Sequence, residues 1–414
     1  MAHALLIIVL LLSAAGWPQA VAAETQTDTD WPTVIAQLQQ ELYRRPGHAY
    51  TRQQLAIAHN NYGVGLGDEG KWDLAIQQLR EAVRLDASNA QARNNLSRIH
   101  LNRAHDAAQR HQTQEALQAI DEALALAPDL AQAYALRGEI QYQSQKLKDA
   151  KTSWQRSLEL DPAQAELKKR LDQLTQELPV ESGFERLPQA YFDIRYQEDL
   201  KWANGFDVRD VLLEARREVG SDFAYWPKHR LVVLVYGWES FRALRQETPE
   251  WVGGQFDGKI RMPLPDGQEQ VALVKQILFH EYTHALIHDL TNGLCPVWLN
   301  EGLAEYQGRT QLSAPLTQLV DAHRTERLIP LGELSDQFSM ALPADAVALG
   351  YQESYSVVRY LTERWGVWRI RRLLKAIEEG RPWETALSDE YRLKLATLEK
   401  NWREWLPELL ERAP

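Results

Sequence analysis

The chain has 414 residues, more than one ordinary domain needs, and its 44% hydrophobic and 25% charged content fits a folded soluble protein of two units. A formal net charge of -11 without any long basic run argues against nucleic acid or anionic membrane as the main partner. The single cysteine, Cys295, excludes an intrachain disulfide and a lipid anchor through an amino-terminal cysteine.

Ala4 to Ala15 is a short apolar stretch, and Ala20, Val21, Ala22 and Ala23 supply small residues before the polar Glu24 to Asp30 segment. This pattern predicts a secretory signal over 1–23, and hence export to a periplasmic or extracellular compartment with no stable membrane span after cleavage. No Lys or Arg precedes the stretch, which leaves an uncleaved anchor as the alternative. A linker and a leading helix fill 24–48.

From 49 to 178 the helical periodicity is rich in Ala, Leu and Gln, and its punctuation returns. Leu85-Asp86, Leu126-Ala127-Pro128 and Leu160-Asp161-Pro162 each close a helix. Ahead of them, Ala75, Ala116 and Ala150 stand where a paired helix must approach closely. These segments resemble tetratricopeptide repeats. The last two keep the 34-residue spacing of that family, whereas the first interval is longer by about two helical turns, the excess falling between Leu96 and Glu115. A helix from Ala163 to Leu178 caps the stack. The resemblance implies a surface for a protein partner or substrate, against the plainer reading of a spacer.

Pro, Gly and Ser between Pro179 and Pro188 predict a linker, and a second domain over 179–414 follows. Tyr191 to Tyr196 alternates as a strand, Val208 to Val219 has helical spacing, and Leu231 to Tyr236 suits a buried strand. Gly254 to Arg261 reads as one further strand, broken by glycine and ended by Pro263, at a sheet edge. From Glu269 nearly everything reads as helix.

His280-Glu281-Tyr282-Thr283-His284 lies within a predicted helix from about Glu269 to His288, so the two histidines share one face a turn apart and can grip one metal ion. Zinc accepts neutral imidazole nitrogen, and Glu281, beside the first histidine, reaches a water activated by the metal and serves as general base. A second helical constellation, Trp298 to Tyr306, offers Glu301 as the third ligand and Glu305 one turn later to fix an imidazole tautomer. His288 extends the histidine stripe, but one more turn along a straight helix points it past the metal.

Here the chain resembles the gluzincin metallopeptidases, and more closely the peptidase MA-like domain found beside tetratricopeptide repeats, over roughly Phe184 to Trp368. The resemblance implies an α-rich α+β protein: an all-α repeat superhelix, then a thermolysin-like catalytic domain with a small mixed sheet. It places the third ligand on the glutamate of the Asn300-Glu301 pair and a supporting acid on Glu305. A later-helix donor for the oxyanion is also implied, with Tyr351 and Tyr355 both candidates. The edge strand, Gly254, Gln255, Phe256, Asp257 and Gly258, is where gluzincins hold an extended peptide. Metzincins are excluded by Ile287 and Leu290, which stand where they need Gly and His.

Trp202, Trp226, Trp238, Trp251 and Trp298 read as core rather than as sugar-stacking walls, and Cys295 as a small buried hydrophobe. The activity expected is that of a zinc endopeptidase, since the glycine-methionine-glutamate-asparagine element of gluzincin aminopeptidases is missing. The rival reading is a low-turnover adaptor or chaperone-like scaffold that works through its repeats.

Overall fold

The computed structural model describes residues 29–198, 200, 208–244, 254–264, 271–338 and 342–412. They form two compact units that divide between Leu178 and Pro179. The proposed signal lies outside the described residues, among which no helix is long and apolar enough to cross a membrane.

The first unit is all helical: α1 (Trp31–Arg44), then the pairs α2 (Ala49–Asp68) with α3 (Trp72–Leu85), α4 (Ala90–Gln109) with α5 (Thr113–Leu126) and α6 (Ala131–Gln143) with α7 (Leu147–Leu160), and finally α8 (Ala165–Glu181). Each pair turns through a left-handed residue, Gly70, His111 or Gln145. Ala75, Ala116 and Ala150 are fully buried, because a larger side chain there would hold the partner helix away. The last pair also packs closely, since a Cβ on Gly138 would meet the Trp154 indole at 2.3 Å. That indole donates to the Ala135 carbonyl at 3.2 Å, so its one polar group is satisfied in the core.

These are tetratricopeptide-like repeats with a variable period. Helices α3, α5 and α7 begin at 72, 113 and 147, giving intervals of 41 and 34 residues. The excess of seven lies in the first helix of the pair, since α4 has 20 residues and α6 has 13; α2 also has 20.

The second unit opens on a five-stranded mixed sheet of order β1-β2-β3-β5-β4, built from β1 (Glu185–Pro188), β2 (Phe192–Tyr196), β3 (Leu231–Gly237), β4 (Gln255–Phe256) and β5 (Ile260–Leu264). The central strands β2, β3 and β5 run parallel, and β1 and β4 flank them antiparallel. Strand β3 is apolar throughout because both its faces are covered. Leu231, Val233 and Val235 join the main core with α9 (Val208–Phe223) and α11 (Val271–Thr291), while Val232, Leu234 and Tyr236 pack with Phe241 of α10 (Trp238–Leu244) and with Val180 and Phe184. Beyond α11 the unit is helical: α12 (Val297–Gly308), α13 (Thr317–Arg324), a 3₁₀ segment (Leu331–Phe338), α14 (Ala344–Trp365), α15 (Val367–Glu378), α16 (Trp383–Tyr391) and α17 (Leu395–Arg412).

Three expectations are corrected. The stretch 179–188 is not a linker: α8 runs through Pro179 to Glu181, and β1 occupies 185–188. Its polar look hides buried partners, because the Glu181 carboxylate accepts from the Tyr236 hydroxyl at 2.5 Å while Val180 and Phe184 cover the sheet. The single strand over 254–261 is instead a hairpin that turns at Gly258 (φ 94°), so of its two strands β4 is at the edge while Pro263 sits inside β5 opposite Tyr236. Trp226 is 44% exposed and donates to the Arg216 carbonyl, whereas Trp298 is fully buried; Trp202 and Trp251 lie outside the described residues.

Candidate metal centre

Helix α11 is apolar on nearly every face and is buried from Ile277 through Ile287, so the polar residues of its motif are carried into a dry interior. His280, Glu281 and His284 have no exposed surface. The imidazoles lie 4.6 Å apart between ring centroids. Helix α11 ends at Thr291, the chain reverses through left-handed Asn292 and Gly293, and Pro296 then caps α12.

Two glycines bring α12 to the site. A Cβ on Gly302 would lie 2.5 Å from the Ser354 carbonyl oxygen of α14, and one on Gly308 would lie 3.2 Å from the Gln276 carbonyl oxygen and 3.4 Å from His280 Cβ. Glu301, next to the first glycine, thereby reaches both histidines, with its Oε2 3.6 Å from His280 Nε2 and 3.4 Å from His284 Nε2.

Those distances fit a shared ion. Two ligands each bound to tetrahedral zinc at about 2.0–2.1 Å stand about 3.3–3.4 Å from each other. Both ring nitrogens of His280 and His284 and both carboxylate oxygens of Glu301 are buried without a hydrogen-bond partner, although such groups are nearly always paired in folded proteins. The ion-pair contacts at 3.4–3.6 Å are too long to satisfy them, and donors aimed at a common point explain both observations. His280, His284 and Glu301 form a candidate His/Glu metal site.

Electrostatics separate the roles of the carboxylates. Burial pushes the Glu281 carboxyl well above the usual range; Glu301 and Asp257 add to the rise, while His280 opposes it. Both its oxygens are unpartnered. Burial also works against ionised Glu301 and Glu305, yet both fall below the usual range, Glu301 because of His284 and His280, and Glu305 to about 2 chiefly because of Arg309. Burial lowers the His284 imidazole, whereas contacts with Glu301 and Glu305 override burial and raise His280 to about 9. Glu305 lies 3.4 Å from His280 Nδ1, and Asn300 acts on His284 against burial.

The remaining candidates are distributed as follows. Tyr351 is buried, packs edge-on against Phe338 at 5.0 Å, and has its phenol pushed up by burial and then by Glu301, Glu305 and Glu281. Tyr355 turns elsewhere, its hydroxyl accepting from Arg359 at 2.6 Å. His288 stands against Phe256, 5.7 Å between rings, apart from the ligand cluster. Gly254 lies against Glu281, since a Cβ there would meet Glu281 Oε1 at 2.6 Å. Gln255 and Phe256 are buried on β4, while the Asp257 carboxylate accepts from Arg261 Nε at 3.2 Å and from the Lys259 amide, which ties the turn before Gly258.

Sequence reasoning passed over two arginines. Arg261 is fully buried and donates to Tyr236 at 2.6 Å, to Asp257 and to Glu181, a partner 80 positions away that no local pattern reveals. Arg309 contacts Glu305 at 2.9 Å, and this i,i+4 acid-base pair was readable on the helix.

Residues 233–408 match the model of the Peptidase MA superfamily. This region is a Peptidase MA superfamily domain. The match starts within β3 and continues into α17, past the Trp368 limit suggested by the motifs. Within this Peptidase MA domain lie all three candidate ligands and Glu281. No curated protein matches the chain. Solved structures similar to part of it include the first TPR of Spaghetti (RPAP3) bound to an HSP90 peptide, at 26% identity over 31% of this chain and 95% of that one, with a TM-score of 0.23. The second TPR domain of human RPAP3 in complex with an HSP70 peptide gives 25% identity over 30% and 98%, and MamA 19% over 36% and 80%, each with a TM-score of 0.23. Such scores add nothing to what the helix pairing itself displays.

Proposed function

We propose that the protein is an exported zinc endopeptidase of gluzincin type, with His280, His284 and Glu301 as ligands and Glu281 as general base. The observation that carries this reading is the convergence of unpartnered, fully buried imidazole and carboxylate atoms on one point, with an unpartnered Glu281 beside them. Zinc, when bound there, supplies Lewis acidity that makes a water nucleophilic near neutral pH. Glu281 takes the proton of that water on a carboxylate oxygen and, once protonated in its dry setting, delivers it to the leaving amine. Of the two tyrosines we assign Tyr351 as the donor to the developing oxyanion, because the site carboxylates act on its phenol, whereas the Tyr355 hydroxyl lies against Arg359. The backbone from Gly254 to Phe256, against Glu281 at the sheet edge, is suited to an extended peptide. The stacked repeats would recruit a protein partner or substrate.

The test is metal analysis of the purified chain with cleavage of an unbiased peptide mixture by wild type and Glu281→Gln. We expect about one zinc per chain in both proteins, and a rate lower by about two to four decades in the variant. Zinc binding without Glu281-dependent cleavage would favour the scaffold reading, which the complete set of candidate ligands together with Glu281 speaks against.

A further inference from the structure

Behind His280 the structure holds a chain of contacts that the chemistry above does not use. Arg309 caps α12 and is almost fully buried. Its Nε donates to Glu305 Oε2 at 2.9 Å, and Glu305 Oε1 lies 3.4 Å from His280 Nδ1. A second guanidinium nitrogen donates to the Ala314 carbonyl at 2.6 Å, so the planar fork is held at two points. One face of that fork lies over the Tyr355 ring, 4.7 Å from its centroid. Tyr355 is fixed in turn by Arg359, which donates to its hydroxyl and to Glu363 at 2.9 Å.

A carboxylate that must orient a metal-binding imidazole needs a fixed position of its own. Glu305 sits on a helix whose next turn supplies Arg309, and no other hydrogen-bond donor to its carboxylate is found among the described residues. Removing the guanidinium would leave a buried carboxylate without its donor and free to rotate away from His280. The Tyr355 hydroxyl accepts from Arg359, and its ring is placed to hold the Arg309 guanidinium in position.

We propose that Arg309 is a positioning residue of the metal centre, acting through Glu305 on His280, with Tyr355 as the aromatic platform that holds it. The proposal rests on the metal-site reading above, and its test is metal affinity, which is independent of any peptidase activity.

Zinc affinity of the full-length apo protein is measured by chelator competition for wild type, Arg309→Met, Glu305→Gln and the double variant, with unfolding followed on the same metal-free samples. Each single change should weaken zinc about 10–100-fold, as expected when the partner of a ligating histidine is lost. The double variant should be no weaker than Glu305→Gln alone, because both changes break one linkage. Tyr355→Phe keeps the ring and should retain affinity within about twofold, while Tyr355→Leu should lose it as Arg309→Met does. These two also serve if Arg309→Met does not fold. Wild-type affinity in Arg309→Met, multiplied losses in the double variant, or full affinity in Tyr355→Leu would overturn the proposal. A wild-type chain that takes up no zinc would instead overturn the metal site itself.

Discussion

Gly302 offers a demanding check on how the site is assembled, because it follows Glu301 directly and faces the backbone of α14. A Cβ there would lie 2.5 Å from the Ser354 carbonyl oxygen and 2.8 Å from both its carbonyl carbon and Val358 Cγ2. Two of these atoms are main chain and cannot rotate away. Reaching 3.4 Å, where ordinary contact begins, requires the helices to part by about 0.9 Å (3.4 less 2.5) in Gly302→Ala. Overpacking of this kind costs about 1–3 kcal/mol. Replacing a helical glycine by alanine returns about 1 kcal/mol. The net loss is about 0–2 kcal/mol, or a fall of up to about 8 °C in Tm for a domain of this size. Activity should suffer more. The same parting displaces Tyr351 relative to Glu301, and misplacement of about 1 Å can cost about a hundredfold in rate. The assay pairs thermal unfolding with hydrolysis by the zinc-loaded variant. Gly65→Ala is the control, since a Cβ at that position of α2 meets no atom within 4 Å, and it should gain about 0.4–1 kcal/mol. Turnover by Gly302→Ala equal to wild type would refute the reasoning that this helix contact sets the site.

Three further outcomes are expected. Glu301→Ala should purify largely free of zinc and stay inactive on its addition, while Glu305→Ala should bind weakly and recover part of its activity at higher zinc; metal analysis at one fixed pH checks this, and the reverse pattern would exchange the assignments. Glu353, buried on α14, is raised by burial to about 8 although it accepts from the Ile329 amide, so the folded state holds a proton that the unfolded state releases above about 4.5. Stability should therefore fall as pH rises from about 4.5 to 8, and Glu353→Gln should raise Tm most at the upper end and little at the lower; a pH-independent difference between the two proteins would contradict this. The repeats should unfold cooperatively when residues 29–178 are expressed alone, because each pair buries its apolar face against neighbours in the stack, and circular dichroism of that fragment decides it.

What could be read from the sequence was what is written locally. The alanines at 75, 116 and 150, and the helix ends at Leu85, Leu126 and Leu160, follow from one-turn spacing and from residues that stop a helix, and they stand where periodicity put them. The His280, His284 and Glu301 cluster was legible for the same reason, as two short helical patterns. The β4–β5 hairpin was not, since a turn at Gly258 inside a short stretch that alternates polar and apolar residues looks like an interrupted strand until its partner is known. Nor was the last turn of α8, where Pro179 suggested a break but burial of Val180 and Glu181 against the sheet outweighs it. Tyr351 and Tyr355 are one turn apart on α14 and indistinguishable by pattern, because the contacts of Tyr355 with Arg309 and Arg359 depend on the fold.

The contact between Gly254 and Glu281 bears on how this cleft can be re-engineered. Libraries that alter selectivity vary side chains, yet what Gly254 presents to Glu281, the proposed base, is a main-chain carbon with no side chain to vary. More room at that point requires the whole hairpin to shift, and the hairpin is tied through Arg261 to Tyr236 and Glu181 in the interior. The same restriction supplies a tool. Adding one methyl group at position 254 crowds the Glu281 carboxylate, its three nearest contacts all being Glu281 atoms, so Gly254→Ala should disarm the proposed base without altering its chemical identity. Such a variant is a natural bait for capturing uncut substrates.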